Sequence, residues 1–227
     1  VRDPELDVEG YVVIWNTPNG GGIAKGGTRV TTSVNLDEVR MLAQRMSLKN
    51  AAAGLPIGGA KSGIRGNPNS SGFKSRFQAI AKRFQWLFPE NGGPFGGLGY
   101  DMGARPEFAE WFIEATGMAH RFTGKPASLG GTDYDEEGIA GLGVAVAAKA
   151  ALEANGSSAV DKRFSVQGLG AMGAGVVRYF GEEGARLVAV ADPLVGGSWV
   201  LSDAMDDAAH EALIGAIAER DMPRVRP

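Results

Sequence analysis

A glycine turn in the second half of the chain constrains the fold most strongly. The turn Gly168-Leu-Gly-Ala-Met-Gly173 lies between a short apolar segment at 164–166 and a helical pattern at 171–183. A continuous apolar run at 186–191 follows, and Asp192 ends it nineteen residues after the last glycine. A strand, a turn, a helix and a second strand with short connections are typical of a βαβ unit with parallel strands. The sequence therefore predicts an α/β fold of the Rossmann type in this half of the chain.

The residues of this turn each suit the binding of a dinucleotide. Gly168 permits a tight turn, Gly170 lets the backbone approach a pyrophosphate, and Gly173 allows the helix to lie close to the strand. The first helical residues, Ala171 and Met172, offer backbone N–H groups and a positive partial charge to the phosphates.

Asp192 bears on the choice between the two nicotinamide cofactors. A carboxylate at the end of the second strand accepts hydrogen bonds from a ribose and repels a 2′-phosphate, so the sequence favours NAD, with NADP as the alternative. A glycine turn that arises by chance is the competing interpretation. The strand and helix around the turn, together with Asp192, favour a nucleotide site.

Glycine is unusually frequent, with 35 residues among 227, about 15% against an average near 7%. The glycines are clustered rather than periodic, which excludes a collagen-like fibre. Clusters of this kind indicate loops in which the backbone approaches another group closely.

Three lysines stand out against this background. Lys25 and Lys61 each lie among glycines, and Lys49 ends an amphipathic helical pattern at 36–50. The interpretation is a site for an anion in which crowded, partly buried ammonium groups have lowered pKa values. The alternative is that these lysines are solvated and the glycines are turns.

Asp101 lies in another glycine cluster, Gly97 to Gly103. It is a candidate acid or base for proton transfer beside the lysines. The alternative interpretation is an aspartate that only stabilises a turn.

Composition excludes several classes of protein. A hydrophobic content of 44% with 22% charged residues predicts a globular protein with a sizeable core. No cysteine and only two histidines, His120 and His210, argue against a metal site. A net charge of −3 argues against a nucleic-acid surface. No long apolar run or secretory leader is visible, so we expect no membrane span and a cytoplasmic protein.

Periodicity and turn residues predict the remaining secondary-structure elements. The predictions are strands at 10–15 and 27–31, glycine-rich loops at 54–66 and 97–103, an irregular stretch at 88–97, and helices at 36–50 (with Asn35 as N-cap), 72–87, 106–114, 135–155 (long and buried) and 202–220. We expect two domains, 1–128 and 129–227.

Several ordered motifs resemble those of the amino-acid dehydrogenases that act on glutamate, leucine, phenylalanine and valine. The resemblance covers most of the chain, and the lysine spacings of 24 and 12 are similar to those of glutamate dehydrogenases. The motifs are Gly22-Ile-Ala-Lys-Gly-Gly-Thr-Arg29, Met46-Ser-Leu-Lys-Asn-Ala-Ala-Ala-Gly-Leu-Pro-Ile-Gly-Gly-Ala-Lys-Ser-Gly63, Tyr100-Asp-Met-Gly103, Thr123-Gly-Lys-Pro126, Leu129-Gly-Gly131 and Val166-Gln-Gly-Leu-Gly170.

The resemblance implies NAD(P)-dependent oxidative deamination of an L-amino acid to its 2-oxo acid, and the reverse reductive amination. It implies that Lys61 activates the attacking water, that Asp101 moves protons, and that Lys49 holds the substrate α-carboxylate. Lys25 would hold a side-chain carboxylate, with Gly26 and Gly27 beside it in the substrate site. It also implies a mixed-sheet substrate and oligomerisation domain before the Rossmann-type domain, and a homo-oligomer.

Some features qualify the resemblance. Lys25 favours glutamate, whereas Gly27-Thr-Arg29 and the segment Lys49 to Gly54 are similar to leucine enzymes, so an apolar substrate stays open. Ala140-Gly141 replaces the Thr-Gly of many members. The Rossmann-type domain is expected to be incomplete, with two strands instead of about six, as in a fragment of a longer enzyme. A short non-catalytic relative, used for assembly or ligand sensing, is the alternative.

Overall fold

The computed structural model describes residues 1–18, 21–193, 197–200 and 207–218, and the chain divides into two compact units. The first unit is Val1–Thr132 and the second is Asp133–Pro227. The division lies four residues beyond the position expected from the sequence.

A mixed sheet centred on one glycine-rich strand organises the first unit. Its five strands are β1 (Arg2–Asp3), β2 (Val8–Ile14), β3 (Ala24–Lys25), β4 (Thr28–Thr31) and β5 (Gly58–Arg65). The glycine-rich strand is β5, which pairs antiparallel with β2 and parallel with β3 and β4, while β1 pairs antiparallel with β2.

The interpretation of residues 54–66 as a loop was wrong, because Gly58–Arg65 is the central strand and only its last residue is exposed. Its small residues let a helix lie directly on the strand. A Cβ atom added at Gly59 would lie 2.2 Å from the backbone nitrogen of Ser47 and 2.5 Å from the carbonyl oxygen of Ala43. Glycine inside a strand here marks the close approach of another backbone.

Three helices cover the first unit: α1 (Leu36–Ala52), α2 (Phe73–Phe84) and α3 (Glu107–Thr116). The predicted N-cap of α1 is confirmed, since Asn35 Oδ1 accepts a hydrogen bond of 3.0 Å from the backbone N–H of Glu38. Phenylalanines fill the space between α2, α3 and the stretch that follows α2. The fully buried ones are Phe73, Phe77, Phe84, Phe88, Phe95, Phe108, Phe112 and Phe122.

The irregular stretch at 88–97 has a structural role that the sequence did not reveal. Phe88 and Phe95 are buried at both ends of it, with their ring centroids 5.7 Å apart. It leads into a short parallel pair, β6 (Leu98–Gly99) with β7 (Phe122–Thr123). Asp101 lies two residues after β6, so the aromatic core fixes the start of the segment that carries it.

The second unit contains the predicted βαβ arrangement. Its elements are α4 (Ile139–Ala154), β8 (Arg163–Gln167), α5 (Ala171–Glu182), β9 (Arg186–Asp192), β10 (Gly197–Val200) and α6 (Asp207–Ala218). Strands β8 and β9 are parallel, and β10, which was not predicted from the sequence, pairs antiparallel with β9. The ends of the predicted helix at 202–220 lie outside the described residues.

The long helix α4 differs from the prediction. It begins at Ile139, and Leu142, Val144 and Val146 are exposed, so the expectation of a helix buried along its length was wrong. Its buried side rests on α5, where a Cβ atom at Gly141 would lie 2.4 Å from the carbonyl carbon of Gly175. No helix in the described part of the chain is long and apolar enough to span a membrane.

The contact between α4 and α5 gives a stability prediction. We expect Gly141→Ala to destabilise the protein by about 2 kcal/mol, because the two helix backbones must separate. A Cβ atom at Gly143, on the same helix, would meet nothing within 4 Å. Gly143→Ala is therefore the control, and we expect it to stabilise the helix by about 0.5–1 kcal/mol. Urea unfolding followed by circular dichroism compares them; equal effects of the two substitutions would contradict the close contact.

Candidate active site

Lys61 and Asp101 come together from distant parts of the first unit. Lys61 lies in the middle of β5 with its side chain 6% exposed, and its Nζ is 3.1 Å from Asp101 Oδ2. Burial lowers the pKa of Lys61, and the charges of Arg29 and Lys49 lower it further, while Asp101 opposes the shift. The result is a buried ammonium that loses its proton more readily than a surface lysine.

Asp101 has a second cationic partner that sequence analysis missed. Arg29 Nε donates to Asp101 Oδ2 at 2.9 Å, and Arg29 Nη1 donates to Glu38 Oε1 at 2.6 Å. Burial by itself would raise the pKa of Asp101, but the charges of Lys61 and Arg29 outweigh it and hold this pKa below its usual value. In the sequence Arg29 ends the motif Gly22 to Arg29 and lies in a short β-branched strand, but neither feature indicated that it pairs with Asp101.

Lys25 lies on β3 with its ammonium group directed at backbone carbonyls. Its Nζ donates to the carbonyl of Leu98 at 2.6 Å and to that of Gly97 at 3.0 Å. The carbonyl of Gly26 lies at 3.5 Å, so all three N–H donors of the ammonium group have a backbone acceptor, and this third contact is the longest of the three. Burial first, and then the charges of Lys61, Arg121 and Lys125, lower the pKa of Lys25 to about 7.

Lys49 lies in the last turn of α1 and is exposed. Its charge is close enough to lower the pKa of Lys61, and the charge of Lys61 in turn lowers that of Lys25. The neighbouring Asn50 is buried and donates from Nδ2 to the carbonyl of Gly58 at 2.8 Å, which ties the end of α1 to the start of β5. The charges of the three lysines are thus coupled through Lys61, and such a concentration of positive charge suits an anionic ligand.

Gly26 and Gly27 allow the segments of the site to approach each other. A Cβ atom at Gly26 would lie 1.8 Å from the carbonyl oxygen of Ala60, and one at Gly27 would lie 2.4 Å from that of Tyr100. These contacts join the segments that carry Lys25, Lys61 and Asp101. The glycines are therefore explained by backbone contact, and their direct contact with a substrate stays a prediction.

The glycine turn of the second unit has the geometry of a dinucleotide turn. Gly168 has φ +89°, and a Cβ atom at Gly173 would lie 1.8 Å from the carbonyl oxygen of Gly168. A Cβ atom at Gly170 would meet nothing within 4 Å, so that side of the turn is open. The N-cap residue of α5 is Gly170, which has no side chain to cap the helix, and Ala171 and Met172 after it are exposed. The first N–H groups of this helix therefore suit a pyrophosphate.

Asp192 ends β9 beside this turn. Its Oδ2 accepts a 2.7 Å hydrogen bond from the backbone N–H of Leu169, so the carboxylate also stabilises the turn itself. The sequence predicted a ribose contact and repulsion of a 2′-phosphate for Asp192, but not this bond within the turn. Among the described residues, no group of three or more His, Cys, Asp or Glu side chains is placed to hold a metal ion.

Comparisons with known proteins agree with the resemblance found in the sequence. Residues 5–117 match the model of the Glu/Leu/Phe/Val dehydrogenase dimerisation domain, and residues 130–197 match that of Glutamate/Leucine/Phenylalanine/Valine dehydrogenase. The NADP-specific glutamate dehydrogenase of Saccharolobus shibatae is 31% identical over 200 residues, which are 85% of this chain and 47% of that protein. The NAD-specific glutamate dehydrogenase of Peptoniphilus asaccharolyticus is 30% identical over 178 residues, 75% of this chain and 42% of that protein.

Solved structures give the same result. The hetero-hexameric glutamate dehydrogenase of Thermus thermophilus, in its Leu-bound form, superposes with a TM-score of 0.77 at 30% identity, over 96% of this chain and 52% of that one. The chain thus spans about half the length of the relatives that it matches. On its sequence motifs, its two matched domains and its fold, the chain belongs to the Glu/Leu/Phe/Val dehydrogenase family.

Proposed function

We propose that the protein is an NAD(P)-dependent dehydrogenase that converts an L-amino acid, with glutamate favoured, to its 2-oxo acid and ammonia, and catalyses the reverse amination. The observation that carries this proposal is the contact of the buried Lys61 with Asp101 inside a group of ammonium side chains. Two relatives that are glutamate dehydrogenases, one NADP-specific and one NAD-specific, support the reaction and the cofactor class.

The ammonium groups account for substrate binding. In this proposal Lys49, exposed at the end of α1, pairs with the α-carboxylate. Lys25 pairs with the side-chain carboxylate of glutamate, which takes the place of the long 3.5 Å contact with the carbonyl of Gly26. An apolar amino acid offers no negative charge to Lys25, so it does not stabilise the protonated form that burial disfavours. This difference supports glutamate over leucine, phenylalanine or valine.

Lys61 and Asp101 account for the proton transfers. With its pKa lowered by burial, Lys61 has a neutral fraction that takes a proton from the water attacking the imino carbon. Asp101 stays ionised beside Lys61 and Arg29, so it accepts a proton from the substrate amino group. When bound, a nicotinamide cofactor would supply the acceptor for the hydride of the α-carbon. Asp101 returns its proton to the leaving nitrogen, the hydroxyl proton of the tetrahedral adduct leaves with the amine as ammonium, and Lys61 releases the proton that it took from water. The sum is amino acid, water and oxidised cofactor giving 2-oxo acid, ammonium, reduced cofactor and one proton.

The residues at the glycine turn fit the cofactor in this proposal. Gly168, Gly170 and Gly173, with Ala171 and Met172, would hold the pyrophosphate at the start of α5, and Asp192 would hold the ribose. NAD is favoured over NADP because the Asp192 carboxylate repels a 2′-phosphate.

Cofactor preference tests the role of Asp192. We expect Asp192→Asn, which keeps an acceptor for Leu169 but removes the charge, to lower the ratio of kcat/KM for NAD to that for NADP by about tenfold. Steady-state rates with both cofactors at fixed amino acid measure this ratio. Asp161→Asn, which neutralises an exposed aspartate of the same unit, is the control. An unchanged ratio in Asp192→Asn would exclude a contact with the ribose or 2′-phosphate.

The reaction itself is tested by the formation of reduced cofactor. Glutamate, leucine, phenylalanine and valine are compared with NAD and with NADP, and turnover is expected to be fastest with glutamate. Turnover that is fastest with leucine would favour the apolar alternative. No turnover with any of them, in the full chain, would favour a non-catalytic relative.

We also propose a homo-oligomer, in the cytoplasm, that assembles through the first unit. The match of residues 5–117 to a dimerisation domain supports assembly through this unit, and the relative from Thermus thermophilus is a hetero-hexamer. Light scattering of the purified protein determines the number of copies.

A further inference from the structure

We propose that Arg29 is a positioning residue for proton transfer: its guanidinium, braced by Glu38, holds the Asp101 carboxylate against Lys61. The inference rests on the proposed function and adds two residues, Arg29 and Glu38, to it. It is supported by the contacts of β4 with the Asp101 segment, by the bracing at α1, and by the arrangement of charges.

Strand β4 lies directly against the segment that carries Asp101. The backbone N–H of Val30 donates to the carbonyl of Met102 at 2.9 Å, and a Cβ atom at Gly103 would lie 1.8 Å from the carbonyl oxygen of Val30. From this strand Arg29, 16% exposed, reaches Asp101 Oδ2 at 2.9 Å. The shortest contact of Lys61 with the carboxylate falls on the same oxygen, at 3.1 Å. Two cations from two strands therefore fix one carboxylate oxygen.

The far end of the guanidinium is held by helix α1. Glu38 accepts from Arg29 Nη1 at 2.6 Å, and the backbone N–H of Glu38 is itself held by Asn35 Oδ1 at 3.0 Å. Because a guanidinium is planar and rigid, fixing it at two ends fixes its direction. Glu38 therefore fixes the orientation of the Arg29 guanidinium relative to Asp101.

The arrangement of charges shows why the proton of Lys61 can leave. Among the described residues, one negative charge acts on Lys61, that of Asp101 on the segment after β6. The positive charges coupled to it are those of Arg29 on β4, Lys49 on α1 and Lys25 on β3. When Lys61 becomes neutral, Asp101 would lose its partner on β5. Arg29 stays charged throughout the accessible pH range, so the carboxylate keeps a cation and no unpaired charge is buried.

Three variants separate the charge of Arg29 from its geometry. Arg29→Gln removes the charge, so the pKa values of Lys61 and Asp101 rise. In the pH profile of kcat/KM for deamination, we expect the ascending limb to shift to higher pH by about one unit. We expect kcat to fall about 30-fold. Arg29→Lys keeps the charge but loses the planar guanidinium with its fixed N–H donors. The ascending limb therefore stays at the same pH, while kcat falls about tenfold. Glu38→Gln also lowers kcat, and it does not move the limb upward because the charge of Arg29 remains.

A second readout does not depend on turnover. The side-chain NMR signal of Lys61 is followed as a function of pH in the full chain without substrate, in the wild type and in the Arg29 variants. The signal is assigned by its absence from the spectrum of Lys61→Met. We expect the pKa of Lys61 to rise in Arg29→Gln and to stay unchanged in Arg29→Lys. A wild type that deaminates no amino acid would overturn the proposed reaction, while this titration would still decide whether Arg29 acts on Lys61.

Two different results would contradict the role proposed for Arg29. If Arg29→Gln lowers kcat but leaves both the pH limb and the Lys61 titration unchanged, Arg29 serves only packing and the proposal fails. If Arg29→Gln does not fold, an unchanged kcat in both Arg29→Lys and Glu38→Gln overturns the proposal.

Discussion

Replacing Lys61 by methionine is expected to lower kcat for glutamate deamination by about 10³-fold. The substitution keeps the length of a side chain that is 6% exposed, but removes the only group in the pair that can take a proton from water and then carry positive charge. General base catalysis is worth about 10²–10⁴-fold, and the loss of the positive charge adds to this. Steady-state deamination rates with glutamate, at saturating cofactor, measure the effect.

The loss should come from chemistry rather than from unfolding. In Lys61→Met the Asp101 carboxylate still has Arg29 at 2.9 Å, so no buried charge is left unpaired. We expect urea unfolding close to that of the wild type. Lys82→Met, which changes an exposed lysine on α2, is the matched control and should retain full activity. If Lys61→Met kept more than a tenth of wild-type kcat, Lys61 would not be the base.

Local signals in the sequence predicted much of the fold. Asn35 was recognisable as an N-cap because capping depends on one side chain and a backbone N–H three residues on. The parallel strands β8 and β9 followed from a strand, a glycine turn and a helix in succession. Both features depend on neighbours in the chain.

Contacts between distant segments were harder to predict. The glycines around Lys61 indicated a loop, but they form a central strand because α1 lies on their backbone, and no local pattern distinguishes the two cases. Arg29 and Glu38 are nine residues apart on different elements, so their pairing depends on how β4 meets α1. The type of residue in the site was predictable, whereas the charges that orient Asp101 were not.

Lys25 should determine the preference for glutamate. We expect Lys25→Leu to lower kcat/KM for glutamate by about 100-fold, because a charged hydrogen bond in a desolvated site is worth about 1.5–3 kcal/mol and the carbonyls of Gly97 and Leu98 also lose their donor. Turnover of norvaline, which has no side-chain carboxylate, should change much less. The ratio of kcat/KM for the two substrates, measured in one preparation, separates binding of the carboxylate from general damage.

The pH dependence of that ratio is a sharper test of the same residue. Lys25 must be protonated to bind a carboxylate, and its pKa of about 7 means that the free protein loses this proton as pH rises through neutrality. The glutamate-to-norvaline ratio should therefore be constant below pH 7 and fall above it, approaching tenfold per pH unit. Since the charge of Lys125 helps to lower the pKa of Lys25, Lys125→Met should move this fall to higher pH. In Lys25→Leu the ratio should not depend on pH, and a ratio that still fell above neutrality would assign the carboxylate to another residue.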